Sequence, residues 1–288
     1  MIKIVEKTKL WFAMSLFIIV IGMGFMAVKG LNLGIDFKGG TALTIGMNQK
    51  FDKADVDKIV DKHAKGEYLS KTVDNGKDIE ITVKTDVLSA DQIGTMVKEI
   101  NTAFKSSKLI SQNTVGGSIG SELESKAIFA LIVATICMLV YVGIRFEFKF
   151  GAAAIIALLH DVLITIGVYA VFRIPVNAPF IAAILTVIGY SINDTIVIFD
   201  RIRENQRIMR KSSIEEIVNT SVKQTLSRSI NTVATVLISI IAVYALVPSI
   251  RELSEPLIIG IAVGCYSSIF IASPVWVLLK NIKKKATA

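Results

Sequence analysis

Three charged residues lie within or directly beside long apolar stretches of the chain: Asp161, Asp194 and Arg228. Burying such a group in a membrane is costly unless a partner or a function compensates, so these residues often mark ion pathways and proton relays. An acid that binds and releases a proton beside a guanidinium performs chemistry of this kind. The sequence therefore predicts proton coupling by Asp194 and Arg228, with Asp161 and the adjacent His160 as a relay or a support.

Helix geometry predicts that Asp194 and Arg228 lie at a similar depth. At a rise of about 1.5 Å per residue, Asp194 is about 9 Å from Asp200, and Arg228 is about 7.5 Å beyond Lys223. On consecutive helices the two side chains could therefore pair. The alternative is a static buried pair that only fixes the register of the helices.

Polar side chains at helical spacing accompany both charges. Asn231, Thr232 and Thr235 follow Arg228 on one stripe of the same helix. The residues predicted to share a face on the preceding helix are Thr186, Gly189, Tyr190, Asn193 and Asp194. Two polar faces, each with one charge, are typical of a hydrated path between helices.

The elements that must position these residues are membrane spans. The chain has 288 residues, of which 52% are hydrophobic. About 20 residues cross a bilayer, and the charge-free segments of that length are residues 10–28, 127–144, 174–193, 229–250 and 256–279. A further segment, residues 151–172, is interrupted only by His160 and Asp161. The sequence therefore predicts a multi-pass α-helical membrane protein with six transmembrane helices.

The distribution of Lys and Arg predicts the orientation of these spans. They concentrate at residues 3–9, 145–149, 201–228 and 280–285, whereas the short loops on the opposite side hold only Arg173 and Arg251. Because positive residues favour the cytoplasmic side, both termini are predicted to be cytoplasmic. The net charge of +8 thus points to a membrane surface with its lipids and not to nucleic acid. The first apolar run is too long for a signal peptide, so we expect it to remain as a span.

Between the first two spans lies a segment that reads as alternating strands and helices. Strands are predicted at residues 41–47, 68–73, 78–85 and 109–115, and helices at residues 53–64 and after Ser89. A hairpin turn is predicted at Asp74-Asn75-Gly76. The order β-α-β-β-α-β predicts an external α/β ferredoxin-like domain. The predicted divisions are residues 1–29 (N-terminus and first span), 30–126 (external domain) and 127–288 (five spans and C-terminus).

Enzyme and metal chemistry find little support in the residues. His63 has no nucleophile or metal partner nearby in the sequence, and we expect it to be a solvated surface residue. Cys137 and Cys265 both lie in predicted spans, where we expect buried apolar thiols and no disulfide or zinc site. Small residues recur on the last span at Gly260, Gly264, Ser268 and Ala272, and we interpret this stripe as helix packing. We therefore expect neither an enzyme nor a bound cofactor or metal.

Several segments resemble the SecD/SecF family of protein-export subunits, in order and nearly end to end. The run Gly34-Ile35-Asp36-Phe37-Lys38-Gly39-Gly40 is similar to the family signature after the first span, and Phe37 favours the SecF branch. Asp36, Phe37, Gly39 and Gly40 are its diagnostic residues. Further matching segments are residues 145–149, 159–162, 189–205, 224–229 and 264–269.

The resemblance implies a role in late Sec-dependent export in the bacterial inner membrane. A SecF-like subunit would act with a SecD-like partner beside the SecYEG channel and would use the proton-motive force to promote release of translocating, unfolded polypeptides. The family assigns ion coupling to the residues that match Asp194 and Arg228. The energy source would be a transmembrane ion gradient, of protons or of sodium ions.

Two other functions compete with this interpretation. A half-transporter of the resistance-nodulation-division superfamily, exporting small molecules or lipids, would share the plan of one span, a large loop and five spans. Its porter domain is usually much larger than the external segment of this chain. A membrane scaffold without transport activity would carry the same intramembrane charges for structural reasons only.

Overall fold

The computed structural model describes residues 3–66, 68–73, 76–84, 88–145 and 147–285. The helices are α1 (Thr8–Lys29), α2 (Ile35–Lys38), α3 (Lys53–Ala64), α4 (Ala90–Ala103), α5 (Gly117–Arg145), α6 (Phe148–Phe172), α7 (Ala178–Ile208), α8 (Ile214–Leu246), α9 (Arg251–Ser267) and α10 (Ser273–Lys285). The strands are β1 (Gly40–Gly46), β2 (Tyr68–Val73), β3 (Asp78–Lys84) and β4 (Lys108–Val115). The chain divides into two compact units, one of Leu33–Phe129 and one of Met1–Asn32 with Ala130–Ala288.

Six helical segments in the described part of the chain are long and apolar enough to cross a membrane, which confirms the predicted number of spans. They are Val5–Lys29, Gly117–Ile144, Phe148–Phe172, Ala178–Ile208, Ile214–Leu246 and Pro248–Asn281. In the last of them a π-helical segment, Ser268–Ala272, joins α9 to α10. Such a π segment rotates the side chains beyond it relative to a regular α-helix, and it is frequent at functional sites.

Small residues set how closely these helices approach one another. A Cβ atom on Gly22 of α1 would lie 2.6 Å from the Cα atom of Gly167 on α6. A Cβ atom on Gly260 of α9 would lie 2.4 Å from the Val187 side chain of α7. Because no side chain fits at these crossings, the glycines are required for packing. For Gly260 this is the role predicted from the stripe on the last span.

The unit Leu33–Phe129 contains a four-stranded antiparallel sheet in the order β2-β3-β1-β4. With α3 and α4 as the intervening helices, this is the split βαβ arrangement of a ferredoxin-like domain, which confirms the predicted fold class. Strand residues on one face bury their side chains together with residues of both helices, and this core includes Leu43, Ile45, Val60, Ile81 and Ile100.

Local capping places the two helices of the domain close to their predicted starts. Asp52 accepts a hydrogen bond from the Ala54 amide at 2.9 Å, and Ser89 forms a capping box with Gln92. β1 runs from Gly40 to Gly46, one residue earlier than predicted, and begins directly at the second glycine of the family signature. In the predicted hairpin turn, Asp74 and Asn75 lie outside the described residues, as does Thr85 at the predicted end of β3.

Candidate functional site

Asp194 lies on the face of α7 that packs against α8, and its side chain is buried. Ser229 of α8 donates a hydrogen bond of 2.6 Å to its Oδ1 atom. The Oδ2 atom is buried too, yet it receives no hydrogen bond from any described protein group. Buried polar atoms are nearly always satisfied, so a half-satisfied carboxyl group within a membrane span needs a specific explanation.

Arg228 corrects the predicted ion pair. Its side chain is exposed, and no salt bridge joins it to Asp194. Adjacent residues of a helix point about 100° apart, so Ser229 occupies the position facing Asp194 and turns Arg228 to the outside of α8. The guanidinium still attracts the carboxylate through space without contacting it.

The polar stripe predicted on α8 is an open face of the chain. Asn231, Thr232 and Thr235 are exposed, as Arg228 is, and all four lie on the same side of the helix. Tyr190 of α7 reaches this region, because its hydroxyl donates to the Thr232 carbonyl at 3.2 Å. The structure thus brings the predicted α8 residues together on an uncovered surface.

On α7 the predicted polar face is split. Thr186, Gly189 and Asn193 are exposed beside the α8 stripe, whereas Asp194 turns inward. The Asn193 side chain therefore lies on the outside of the chain and the Asp194 side chain is buried, although the two residues are adjacent in sequence. We refer to the exposed residues Thr186, Gly189, Asn193, Arg228, Asn231, Thr232 and Thr235 as the open polar face.

Both carboxyl oxygens of Asp161 on α6 have polar partners. Its Oδ2 atom accepts hydrogen bonds from Ser191 at 2.6 Å and from Ser267 at 2.8 Å. Its Oδ1 atom lies 2.9 Å from Nδ1 of His160, and both side chains are buried. His160 thus supports Asp161 directly, which was one of the two predicted roles.

The row of contacts continues from His160 to α1. Nε2 of His160 lies 3.0 Å from the Ser15 hydroxyl, which lies 3.2 Å from the Tyr266 hydroxyl. Tyr266 in turn donates to the Trp11 carbonyl at 3.1 Å. The row thus joins α6, α1 and α9 through polar side chains.

The Asp161 cluster and Asp194 are neighbours through α7, but no hydrogen bond links the two carboxyl groups in the described residues. Ser191, the partner of Asp161, precedes Asp194 by one turn of the helix. Thr195 lies 2.8 Å from Ser268 of the π-helical segment. A Cβ atom on Gly264 would lie 3.0 Å from Ser191, so the small residues of α9 allow these hydroxyls to meet α7.

The serines were not predicted from the sequence. Ser229, Ser191 and Ser267 each donate to an intramembrane carboxyl group. The sequence pointed to two of them only by their position beside a predicted site residue. Ser191 lies one turn before Asp194, and Ser229 follows Arg228. That signal does not reveal which acid a serine faces, because the answer depends on how the helices pack.

Asp36 and Phe37 lie in the short helix α2, and Gly39 joins this helix to Gly40, the first residue of β1. Gly39 and Gly40 have φ values of 74° and 140°, which side chains rarely adopt. A Cβ atom on Gly40 would lie 2.4 Å from the Val83 carbonyl oxygen. Phe37 is buried, and a Cβ atom on Gly120 of α5 would lie 2.6 Å from the Phe37 carbonyl. The paired glycines are therefore needed for this backbone path.

Two minor expectations are corrected by the structure. His63 is largely buried between α3 and α4, where its Nε2 atom lies 3.3 Å from Glu99 Oε2, so it is not a solvated surface residue. Cys137 is exposed on α5 and Cys265 is half-buried, so Cys137 is not the buried thiol that was expected. No group of three potential metal ligands occurs among the described residues.

Comparison with known proteins places these features in a family. A family model described as "Protein export membrane protein SecD/SecF, C-terminal" matches residues 95–282, and the "SecD/SecF GG Motif" matches residues 24–50, which include the Gly39-Gly40 turn. The chain belongs to the SecD/SecF family. The protein translocase subunit SecF of Alicyclobacillus acidocaldarius is 39% identical over 99% of this chain and 95% of its own length. The SecF subunit of Sebaldella termitidis is 36% identical over 98% and 93%.

Solved SecDF structures share the fold. SecDF from Thermus thermophilus, described as a translocon-associated membrane protein, matches with a TM-score of 0.89 and 33% identity over 97% of this chain. A SecDF structure in a super-membrane-facing form matches with a TM-score of 0.74 and 34% identity over 99% of this chain. This chain spans 39% and 40% of those two chains. It is therefore a translocase-family membrane subunit whose relatives include longer SecDF proteins.

Proposed function

We propose that this chain is a SecF-like subunit that couples a transmembrane proton gradient to the late stages of protein export. The observation that carries the coupling is the Asp194 carboxyl group, whose Oδ2 atom is buried without a hydrogen-bond partner among the described residues. An ionised carboxylate in that state is costly, whereas a protonated one is tolerated. Such a group changes its protonation when its surroundings change, which is what a coupling site requires.

The second part of the proposed switch is Arg228. Because adjacent residues of a helix point about 100° apart, a rotation of α8 by about that angle would bring Arg228 to the carboxyl group in place of Ser229. Protonated Asp194 would suit the Ser229 arrangement, and ionised Asp194 would favour the approach of Arg228. One elementary charge moving through 100 mV releases about 2.3 kcal/mol, enough to shift such an equilibrium by more than tenfold.

The open polar face is an argument for a partner chain that covers it. A charged guanidinium and several polar side chains on one side of a span are unstable against lipid tails, so another protein surface would have to cover them. The Thermus thermophilus relative named SecDF is a translocase subunit of greater length, to 38% of which this chain aligns. We therefore assign the cover to a SecD-like half, with the SecYEG channel and unfolded polypeptides as further partners.

The remaining parts of the proposal concern location and chemistry. The bacterial relatives support a location in a bacterial inner membrane. The concentration of Lys and Arg supports cytoplasmic termini and an external ferredoxin-like domain. The domain would contact the emerging polypeptide as a binding or mechanical element. Neither an enzyme activity nor a bound cofactor or metal enters this mechanism, and nucleic acid is not a partner.

Export driven by an imposed proton gradient tests the proposal. The chain, a SecD-like partner and SecYEG are reconstituted in vesicles, with Asp194→Asn as the test variant. Glu204→Gln is the matched control, because it removes a carboxylate from the exposed end of the same helix. We expect Asp194→Asn to assemble normally and to lose the gradient-dependent stimulation, while Glu204→Gln keeps it. Normal stimulation of Asp194→Asn would instead favour a scaffold role for the intramembrane charges.

A further inference from the structure

A basic cleft lies at the Lys- and Arg-rich end of the membrane helices. It has a volume of about 340 Å³ and is lined by Glu147, Arg203, Gln206 and Arg207. Glu147 precedes the first residue of α6, and the other three residues belong to the last two turns of α7. Arg207 follows Arg203 by four positions, so the two side chains lie on one face of the helix.

The charges of this cleft are unbalanced. Neither the Arg203 nor the Arg207 side chain forms an ion pair in the described part of the chain, whereas nearby Arg201 pairs with Glu204 at 2.6 Å. The one carboxylate of the cleft, that of Glu147, already has Lys280 at 3.8 Å. Two guanidinium groups, each able to grip an oxyanion with two parallel hydrogen bonds, are therefore left for an anionic ligand.

Exposed apolar side chains lie on the membrane side of the cleft residue Glu147. Ile144, at the end of α5, and Phe148, at the start of α6, are 83% and 87% exposed. α6 has 25 residues and is thus about 37 Å long, against about 30 Å for the hydrocarbon layer, so its first turn lies near the membrane surface. A ligand at this level would meet positive charge at its head and apolar side chains below it.

We propose that the cleft binds the phosphodiester of an anionic phospholipid, with the phosphate held by Arg203 and Arg207. The acyl chains would lie against Ile144 and Phe148. Basic clefts between membrane helices are suited to such head groups. The exposed apolar side chains of Ile144 and Phe148 favour a lipid over an acidic protein segment, because the acyl chains of a lipid would cover them. The site is separate from Asp194, so it stands whether or not the proposed proton coupling holds.

Native mass spectrometry of the full chain in detergent tests this site. Phosphatidylglycerol and phosphatidylcholine are titrated separately against the wild-type chain and against Arg203→Gln/Arg207→Gln. The matched control is Lys211→Gln/Lys223→Gln, which removes two exposed positive charges at the same end of the molecule but outside the cleft. A third titration replaces the lipid with inorganic phosphate, which separates a lipid site from a site for free phosphate.

The expected result is selective retention of phosphatidylglycerol that falls about 30-fold in the Arg203/Arg207 variant and less than about threefold in the control. Inorganic phosphate at millimolar concentration should not displace the lipid. Equal retention of both lipids, an equal loss in the control variant, or displacement by inorganic phosphate would each overturn the proposal. Matching thermal unfolding of the variants excludes misfolding as the cause of a loss.

Discussion

Ser229 donates to Oδ1 of Asp194 at 2.6 Å, while the preceding residue on its helix, Arg228, points to the outside of the chain. The carboxyl group therefore has a neutral partner within hydrogen-bond distance and a charged one within reach of a helix rotation. This separation distinguishes Asp194 from Asp161, whose oxygens are all engaged by Ser191, Ser267 and His160. The two intramembrane acids should consequently respond differently to substitution.

The first prediction contrasts the stability effects of the two acids. Asp161→Ala should lower the free energy of unfolding by about 3 kcal/mol or more, because it leaves the buried Ser191 hydroxyl and Nδ1 of His160 without their partner. Ser267 keeps only its bond to the Gly264 carbonyl. Asp194→Asn keeps the Ser229 bond and should cost less than about 1 kcal/mol. Thermal unfolding of the purified chain in detergent measures both. Equal losses in the two variants would show that Asp194 is as much a structural residue as Asp161.

The second prediction concerns the cover of the open polar face. Gly189 is exposed, and a Cβ atom added there meets nothing within 4 Å in this chain, so Gly189→Leu should leave the isolated chain intact. A SecD-like helix packed on the face would clash with the leucine. Co-purification of the partner should fall about tenfold or more. Gly143→Leu on α5 is the control, because a Cβ atom added at Gly143 also meets nothing within 4 Å. Unchanged recovery of the partner with Gly189→Leu would show that the partner does not cover this face.

The third prediction concerns the glycine turn before β1. Gly40→Ala should destabilise the isolated domain by about 2–3 kcal/mol, because φ is 140° and the new Cβ would collide with the Val83 carbonyl. Gly94→Ala in α4 has open space around it and should stabilise the domain by up to about 1 kcal/mol. Urea unfolding of residues 33–115 measures both. A non-cooperative transition in the parent domain would refute its independent folding.

The fourth prediction concerns alkaline pH. Burial and the Asp57 carboxylate raise the pKa of Tyr68 in the domain to about 12. Because the unfolded chain then loses this proton first, the domain should be fully stabilised below about pH 10 and lose stability between about pH 10 and 12. In Tyr68→Phe the urea midpoint should change less with pH over that range than it does in the parent domain. A parallel decline in both proteins would assign the effect to other groups.

The sequence predicted the elements well because their signals are local. Apolar length marks the spans, and the caps at Asp52 and Ser89 mark helix starts without reference to the rest of the fold. Helical periodicity also grouped Arg228 with Asn231, Thr232 and Thr235 correctly, since spacing within one helix fixes a shared face.

The relative rotation of two helices could not be predicted in the same way. Periodicity does not say which stripe of α8 meets α7, and one residue step placed Ser229 instead of Arg228 at Asp194. The partners of Asp161 depend on how closely α9 approaches α7, which Gly260 and Gly264 allow. Packing of this kind is a property of the pair of helices and leaves little trace in either one alone.

Proton uptake is the measurement that tests the coupling claim most directly. The chain and its SecD-like partner are reconstituted in vesicles that contain a pH-sensitive dye, and a potential of 100 mV, worth about 2.3 kcal/mol per charge, is applied as a step. The account predicts proton uptake by the wild-type pair and by Glu204→Gln, and only the background of protein-free vesicles with Asp194→Asn. Uptake by Asp194→Asn at the wild-type rate would contradict the account.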